Sequence, residues 1–399
     1  MADIETLMGV SATDIEKVMG VSAGDIESVM GVGLVTSNAW QGTRALGYGQ
    51  AHESPEGSTL NSTDRILYKT MASGATTSDF GNLEEFSNYA SGVQGGGRCM
   101  FAGIYEKTNG SLAITNRMQY ITVGSTGNAT DAGDLTKAVA NVVGNGGGSN
   151  GTTGLIVHGY NSSWGLSNEA EYFTISSTGN ASAGGARTVS RASNGIGNST
   201  RIFLIMGYDG SAPRSNIIDV MTYASPTSDA SDWGDAFAGN NPPAEGDESR
   251  GIIFPSYTDG TAASGDFSSV YIYYFSLASA SNASEFGYGV LKDCDDADES
   301  WYPDGIDSTV SSSTPHKFAK HDGPVMSDGT RCEQWSGETY TGDTRSGSGN
   351  NNACGDLSDK NIFYITIQST GNAADAGYDV GDHGETFTEF QQGAGCTGT

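Results

Sequence analysis

Basic residues are scarce in this chain. Nineteen lysines and arginines stand against 47 aspartates and glutamates in 399 residues, a formal charge of −28. A surface so acidic repels phosphate backbones and anionic lipid, so neither nucleic acid nor a membrane surface is an expected partner. Runs of about 18 apolar residues are lacking, which argues against insertion into a bilayer. Residues 1–30 carry neither a basic start nor a continuous apolar core, so no secretory leader is read there and assembly inside a cell is expected. Cysteine is rare as well. Cys99, Cys294, Cys332, Cys354 and Cys396 form no C-x-x-C pair, which disfavours a zinc knuckle or a complete disulfide framework. A Cys332–Cys354 bridge is one option in an oxidising medium; free thiols are the default for a chain without a leader. The five histidines, His52, His158, His316, His321 and His383, show no metal-ligand spacing and adjoin no nucleophile elbow.

Glycine is abundant, at 58 residues, and with so much Ser, Thr and Asn it disfavours long helices and suits short strands joined by tight turns. One phrase recurs. YITVGSTGNATDAGDL from Tyr120 returns as YFTISSTGNASAGGA from Tyr172 and YITIQSTGNAADAGY from Tyr364, with looser copies from Tyr68, Met221 and Tyr274. Six copies mean one structural unit used six times. Before each copy runs an apolar strand, often led by Arg: TRALGYG at 43–49, GRCMFAGIY at 97–105, TGLIVHGY at 153–160, TRIFLIMGY at 200–208, SRGIIFPSY at 249–257 and a degraded TRCEQWSGETY at 330–340.

Four short antiparallel strands in roughly 40–50 residues make a propeller blade. The first unit opens at its Arg44 strand without a preceding piece, whereas GETFTEFQQG at 384–393 continues past the last unit. A C-terminal strand is therefore expected to complete the first blade and leave the ring without a free edge. The fold expected is all-β: a six-bladed β-propeller over 42–399, closed by a C-terminal strand, with an insertion at about 293–330. A linker at 34–41 joins it to an N-terminal segment, 1–33, with its own repeat.

That segment reads DIETLMGVSAT, DIEKVMGVSAG, DIESVMGVG, from Asp3, Asp14 and Asp25. Each aspartate suits a helix N-cap, and Gly9, Gly20 and Gly31 suit the stop. Three short helices are expected, with Ile4, Leu7 and Met8, then Ile15, Val18 and Met19, then Ile26, Val29 and Met30 on one face. An eleven-residue period also fits a right-handed coiled coil, but a glycine per period, costing about 1 kcal/mol each, favours broken helices. Such a segment has no core to bury these faces, so they are assigned to assembly, on another protein or in a homo-oligomer.

An apolar strand ending in Gly, a strand led by Tyr and a small polar turn together resemble kelch-type β-propeller repeats. The wording Y-[IF]-T-[IV]-x-S-T-G-N-A-x-D-x-G-D-L is similar to repeats of kelch-like structural proteins of tailed phages of marine bacteria, cyanophages above all. The DIEKVMGV elevens are similar to short repeats at the start of phage fibre proteins. The paired Gly-Gly of kelch repeats is Gly-Tyr, Gly-Ile-Tyr or Pro-Ser-Tyr here. The resemblance implies a virion protein, a tail fibre or appendage assembled in the host cytoplasm. Residues 1–33 would attach it to other virion proteins, and the propeller would be displayed outside to recognise a host-surface glycan or protein. Two alternatives remain: a propeller depolymerase or glycosidase acting on host polysaccharide, and a capsid or neck decoration without receptor binding.

Tyr48, Tyr105, Tyr160, Tyr208 and Tyr257, with Tyr340 in the degraded sixth unit, close successive apolar strands, so in a ring they share one circle. With Asn161, Asp209 and Asp259 nearby, such aromatics stack on sugar faces and hydrogen-bond sugar hydroxyls, or else each wedges between adjacent blades. Residues that differ between units, Trp164, Trp301 and His158, are better placed to confer specificity. Asp293, Asp295, Asp296, Asp298 and Glu299 gather the hard oxygens calcium prefers, in wording that resembles DCDD-type acidic motifs of bacterial surface proteins. A solvated acidic loop is the other reading of that stretch, and no other cofactor is expected. Among 47 acids nothing singles out a carboxylate pair for glycoside cleavage, so no catalytic residue is assigned.

Overall fold

The computed structural model describes residues 41–398 apart from loops, the longest at 53–59, 141–145, 211–214, 238–241, 259–266, 294–300, 303–316, 336–360 and 381–389. Within 1–39 it describes six two-residue strands. Residues 1–39 and 40–399 are separate compact units.

The first unit corrects the helical expectation. Thr6–Leu7 pairs antiparallel with Val10–Ser11, Lys17–Val18 with Val21–Ser22, and Ser28–Val29 with Val32–Gly33. Leu7 faces Val10, which leaves Met8 and Gly9 as the two residues between the paired strands. The period of eleven is therefore a period of hairpins. β-Branched residues on both arms and a glycine between them favour pairing over helix. Among the assembly residues, Leu7, Val18 and Val29 lie on the first arms; Ile4, Met8, Ile15, Met19, Ile26 and Met30 lie outside the described residues.

The second unit is a six-bladed β-propeller. Blade 2 runs Ser91–Gly95, Arg98–Ala102, Arg117–Thr122, Thr130–Asp134, innermost strand first, and blades 3 to 6 repeat this antiparallel order from Gly147, Ala192, Ala244 and Val325. Blade 1 is completed from the far end of the chain. Phe390–Gly398 pairs antiparallel with Arg44–His52, with Gly398 opposite Arg44 and Cys396 opposite Leu46. The closing strand thus starts six residues beyond the GETF expected to open it. Neighbouring innermost strands touch in ring order and the sixth touches the closing strand, so the ring has no break.

Those innermost strands are the part the repeat wording hid, because they read as variable Gly/Ser-rich stretches: SGVQG, GGS, ASNGIG, AEG and VMS, every residue buried. Crowding at the axis explains the composition. A Cβ on Gly195 would stand 2.7 Å from the Gly147 carbonyl oxygen, and one on Gly92 2.7 Å from that of Gly395. The apolar core lies between blades, as where Val93 and Met100 of blade 2 share a cluster with Ile156 and Phe173 of blade 3.

The repeat wording is a set of joints between blades. In five of the six junctions an Asn or Asp at the end of the S-T-G-N turn accepts a hydrogen bond from the outermost strand of the preceding blade. These are Asn128 from Asn82 N, Asn180 from Asp134 N, Asp229 from Ala186 N, Asn282 from Asp235 N and Asn372 from Tyr288 N, all at 2.9–3.1 Å. The Asp-x-Gly of the repeat is a bulge in that outermost strand. Asp131 Oδ1 accepts from Gly133 N, and the register slips opposite Met118 and Gln119. Gly133, at φ +115°, admits the Gly179 backbone within 2.7 Å of where a Cβ would be. The leading arginine is a second clip. Arg98 lies over the Tyr120 ring, 4.1 Å from its centroid, and donates to the Ile175 carbonyl of the next blade, while Arg250 does the same with Tyr274 and Ile367.

Two further links serve the ring's closure. Cys99 in blade 2 is disulfide-bonded to Cys396 of the closing strand, a pairing different from the Cys332–Cys354 option. Cys332 is a buried free thiol whose pKa burial pushes well up; Cys354 and Cys294 lie outside the described residues. Between blades 6 and 1, Lys69 forms a buried ion pair with Glu333.

Candidate functional site

Alternation of strand direction places two sets of connections at opposite ends of the ring. One end carries the turns between first and second and between third and fourth strands, including S-T-G-N. The other carries the loops after second strands and the crossings between blades. The first end is uniform because it makes the joints; the second differs from blade to blade, and the side chains that break the repeat stand there.

Blade 3 contributes the loop Gly159–Asn168. Asn161 Oδ1 accepts hydrogen bonds from Ser163 N at 2.9 Å and Gly165 N at 3.0 Å, and Trp164 N donates to the Asn161 carbonyl at 2.9 Å. This tight turn holds Trp164 at φ +61°, a left-handed conformation rare for a bulky residue. Strain of this kind, costing about 1–3 kcal/mol, persists where the surroundings over-determine it and clusters at ligand sites. Trp164 is 49% exposed, the most solvent-open large hydrophobic among the described residues.

Around Trp164 gather three of the sequence-predicted tyrosines. Tyr105, from blade 2, meets its ring edge-on at 5.3 Å between centroids; Tyr160, from the same loop, lies at 5.8 Å; Tyr208, from blade 4, stacks on Tyr160 at 6.3 Å and 24°. All three tyrosines are half-buried. Tyr48 does not join them. It is fully buried, edge-on to Phe101, and its hydroxyl accepts from Ala90 N at 3.0 Å. Tyr48 thus lies as a wedge between the apolar strands of blades 1 and 2. The side chains of Tyr257 and Trp301 lie outside the described residues, as do Asp295, Asp296, Asp298 and Glu299; Asp293 is described in backbone only, at the end of the strand Leu291–Asp293. Among the described residues no group of His, Cys, Asp and Glu is arranged to hold a metal ion.

Beneath the aromatic cluster lies a buried polar layer. His158 Nε2 donates to Glu171 Oε1 at 2.9 Å. Burial alone would raise the Glu171 carboxyl, but hydrogen bonds from His158 and Thr136 outweigh it and lower the pKa. Arg187 donates to the carbonyls of His158 and Ser167, both ends of the Trp164 loop, and to Ser193 Oγ and the Arg191 carbonyl of blade 4. It is thus the brace of that loop. Burial, then repulsion from Arg191, pulls its pKa down to about 9. Arg191 in turn pairs with Asp219 at 2.9 Å. On the Tyr105 side, burial raises the pKa of Glu106, whose nearest cation is Arg117 at 3.5 Å.

This arrangement offers flat amphipathic rings, hydroxyl groups and an exposed indole on a braced loop, with the charges buried and paired below. It can stack and hydrogen-bond a ligand. His158, singled out as variable between blades, is buried and bonded to Glu171. Asn161, expected to offer its amide to a ligand, turns its Oδ1 to the backbone of its own loop. Arg187 carries no signal in the sequence: an Arg in a Gly/Ala/Ser-rich stretch does not announce a loop that only the fold assembles.

No family model matches the chain, and no curated protein matches it. Among solved structures, the fold is shared with the structure of YjhT, at a TM-score of 0.50 and 10% identity over 73% of this chain and 92% of that one. At that identity the likeness speaks for the propeller fold alone.

Proposed function

We propose that this propeller is a non-enzymatic glycan-recognition module, and that its contact surface is the aromatic cluster Tyr105, Tyr160, Trp164 and Tyr208. The observation that carries the reading is Trp164: a bulky residue held at positive φ, half in solvent, in a loop braced by a fully buried arginine. Rigid Trp and Tyr side chains supply large contact area at low entropic cost, and their ring faces and hydroxyls suit the two kinds of surface a sugar presents. The virion setting, a tail fibre or appendage anchored through residues 1–33, follows from the resemblance of the repeats and is part of the same proposal.

The test is binding of the full chain to a panel of immobilised glycans and to envelope polysaccharide of bacterial hosts. Trp164→Ala is expected to abolish binding while leaving the thermal midpoint unchanged, since the side chain is outside the core. Retention of binding by the double variant Trp164→Ala/Tyr160→Ala overturns the site. Release of reducing ends from the polysaccharide would favour the depolymerase reading instead.

A further inference from the structure

A second group of aromatic rings stands on the same end of the ring, on the blades that follow. Phe237 leaves the outermost strand of blade 4, Tyr271 and Tyr273 begin the third strand of blade 5, and Tyr288 ends its outermost strand. Those chain positions all fall at the end that carries Trp164. Phe237 lies 4.6 Å from Tyr273, Tyr271 5.0 Å from Tyr288 and 6.2 Å from Tyr273, centroid to centroid. The four rings are half-buried, so each presents an edge or a face to solvent. Repeat logic does not account for them. Where blades 2, 3 and 4 place Gln119, Glu171 and Asp219 to accept from Glu84 N, Thr136 N and Thr188 Oγ1 of the preceding blade, blade 5 places Tyr273 against Phe237. The polar latch of this junction has been replaced by rings.

The first cluster ends on blade 4 at Tyr208, and the second begins on blade 4 at Phe237. Building on the site proposed above, we infer that the two clusters are successive subsites for one extended, non-anionic polysaccharide chain laid across blades 2 to 5. Length follows from the spread over four blades, because a mono- or disaccharide held at Trp164 leaves the second group without a role. Absence of negative charge follows from the surroundings. Glu285 stands in the outermost strand of blade 5 that Tyr288 ends, Asp209 follows Tyr208, and the whole chain carries −28, so a polyanion is repelled; burial, then the Tyr288 hydroxyl and Glu285, raises the Tyr271 pKa. Linked subsites convert the second contact into an intramolecular one, which raises affinity steeply with chain length.

The experiment uses the full chain with dextran, mannan and galactan, oligomers of one to ten units prepared from whichever binds, hyaluronate as polyanion and chitosan as polycation, with affinity read by titration calorimetry. Affinity is expected to rise about a hundredfold from dimer to decamer. Tyr271→Ala/Tyr288→Ala is expected to erase that rise while leaving dimer affinity unchanged, and Trp164→Ala to remove both. As a measurement on the unmodified protein, nitration of Tyr271 and Tyr288 by tetranitromethane, mapped by mass spectrometry, is expected to be blocked by the decamer and not by the dimer. Equal affinity for dimer and decamer, equal nitration with both, or preference for hyaluronate overturns the extended non-anionic ligand and leaves the Trp164 site standing. Binding untouched by Trp164→Ala/Tyr160→Ala removes both readings.

Discussion

Lys69 Nζ lies 2.9 Å from Glu333 Oε2 and 3.1 Å from Glu333 Oε1, with both side chains out of solvent. Glu333 stands opposite Tyr364 where other blades place Met100, Leu155, Phe203 or Ile252, and Lys69 stands where they place Ile121, Phe173, Met221, Phe275 or Ile365. The pair therefore replaces two core apolar residues at the one junction whose turn carries Thr76 in place of the Asn latch. Burial lowers the Lys69 pKa, and the bond to Glu333 opposes that. Glu333→Leu alone, which strips Lys69 of this carboxylate, is expected to cost about 3–5 kcal/mol in urea unfolding, and Lys69→Met/Glu333→Leu to recover most of it. A double variant no better than the single would show that the junction needs the charges themselves.

The turn joints can be ranked. Asn180→Ala removes one acceptor at a rim where water can replace it, so the expected cost is about 0.5–1.5 kcal/mol. Gly133→Ala forces a Cβ against the Gly179 backbone at a positive φ, so its cost should be larger, with backbone strain alone about 1–3 kcal/mol. Denaturation midpoints of the two variants decide the matter; the reverse order would mean that the side-chain latch, and not close backbone contact, holds the blades.

Reduction should loosen the closure. The Cys99–Cys396 bond joins residues 297 apart, and its loss is expected to lower stability by about 2–4 kcal/mol. The thermal midpoint should fall on adding dithiothreitol. Cys396→Ser should start low and be indifferent to the reductant, and an unchanged midpoint in both cases would remove the bond from the account.

Glu245 predicts a pH dependence. It sits buried in the innermost strand of blade 5, and burial pushes its pKa up to about 8, opposed by the hydrogen bond from Gly246 N. The folded carboxyl thus holds its proton more tightly than the unfolded one. Its contribution to stability is complete below about pH 4.5, drains away as pH rises and is gone above about pH 8. Glu245→Gln should flatten the fall in unfolding free energy between pH 5 and about 8, and an identical slope in the variant would acquit this residue.

The blade number and the closing strand were legible because Tyr68, Tyr120, Tyr172, Met221, Tyr274 and Tyr364 carry one phrase, and because the Arg44 strand lacks a predecessor. The innermost strands were not. Their Gly and Ser answer to crowding at the axis, which no local propensity encodes. The N-terminal elevens were read as helices because Asp and Gly suit helix ends as well as hairpins, and period alone does not separate the two. At the candidate site Tyr105, Tyr160 and Tyr208 were named from position in the repeat, and Trp164 because it departs from the repeat. Asn161 was named beside Tyr160, but as a partner for a ligand and not as the hub of its own turn. Arg187 and the second group at Tyr271 and Tyr288 were not named, because the first acts through backbone groups of a loop and the others break the repeat without any motif of their own.

The closing strand also sets a clock. Arg44 is paired with Thr70 on one side, but its other edge is covered only when Gly398 arrives, some 350 residues later. At a synthesis rate of about 5–20 residues per second, the edge of Arg44–His52 stays open for roughly 20–70 s after it leaves the ribosome. An open strand edge is a template for pairing with other chains. During each round of synthesis the cell therefore has to keep neighbouring nascent copies from lending one another the strand that each is still waiting to make.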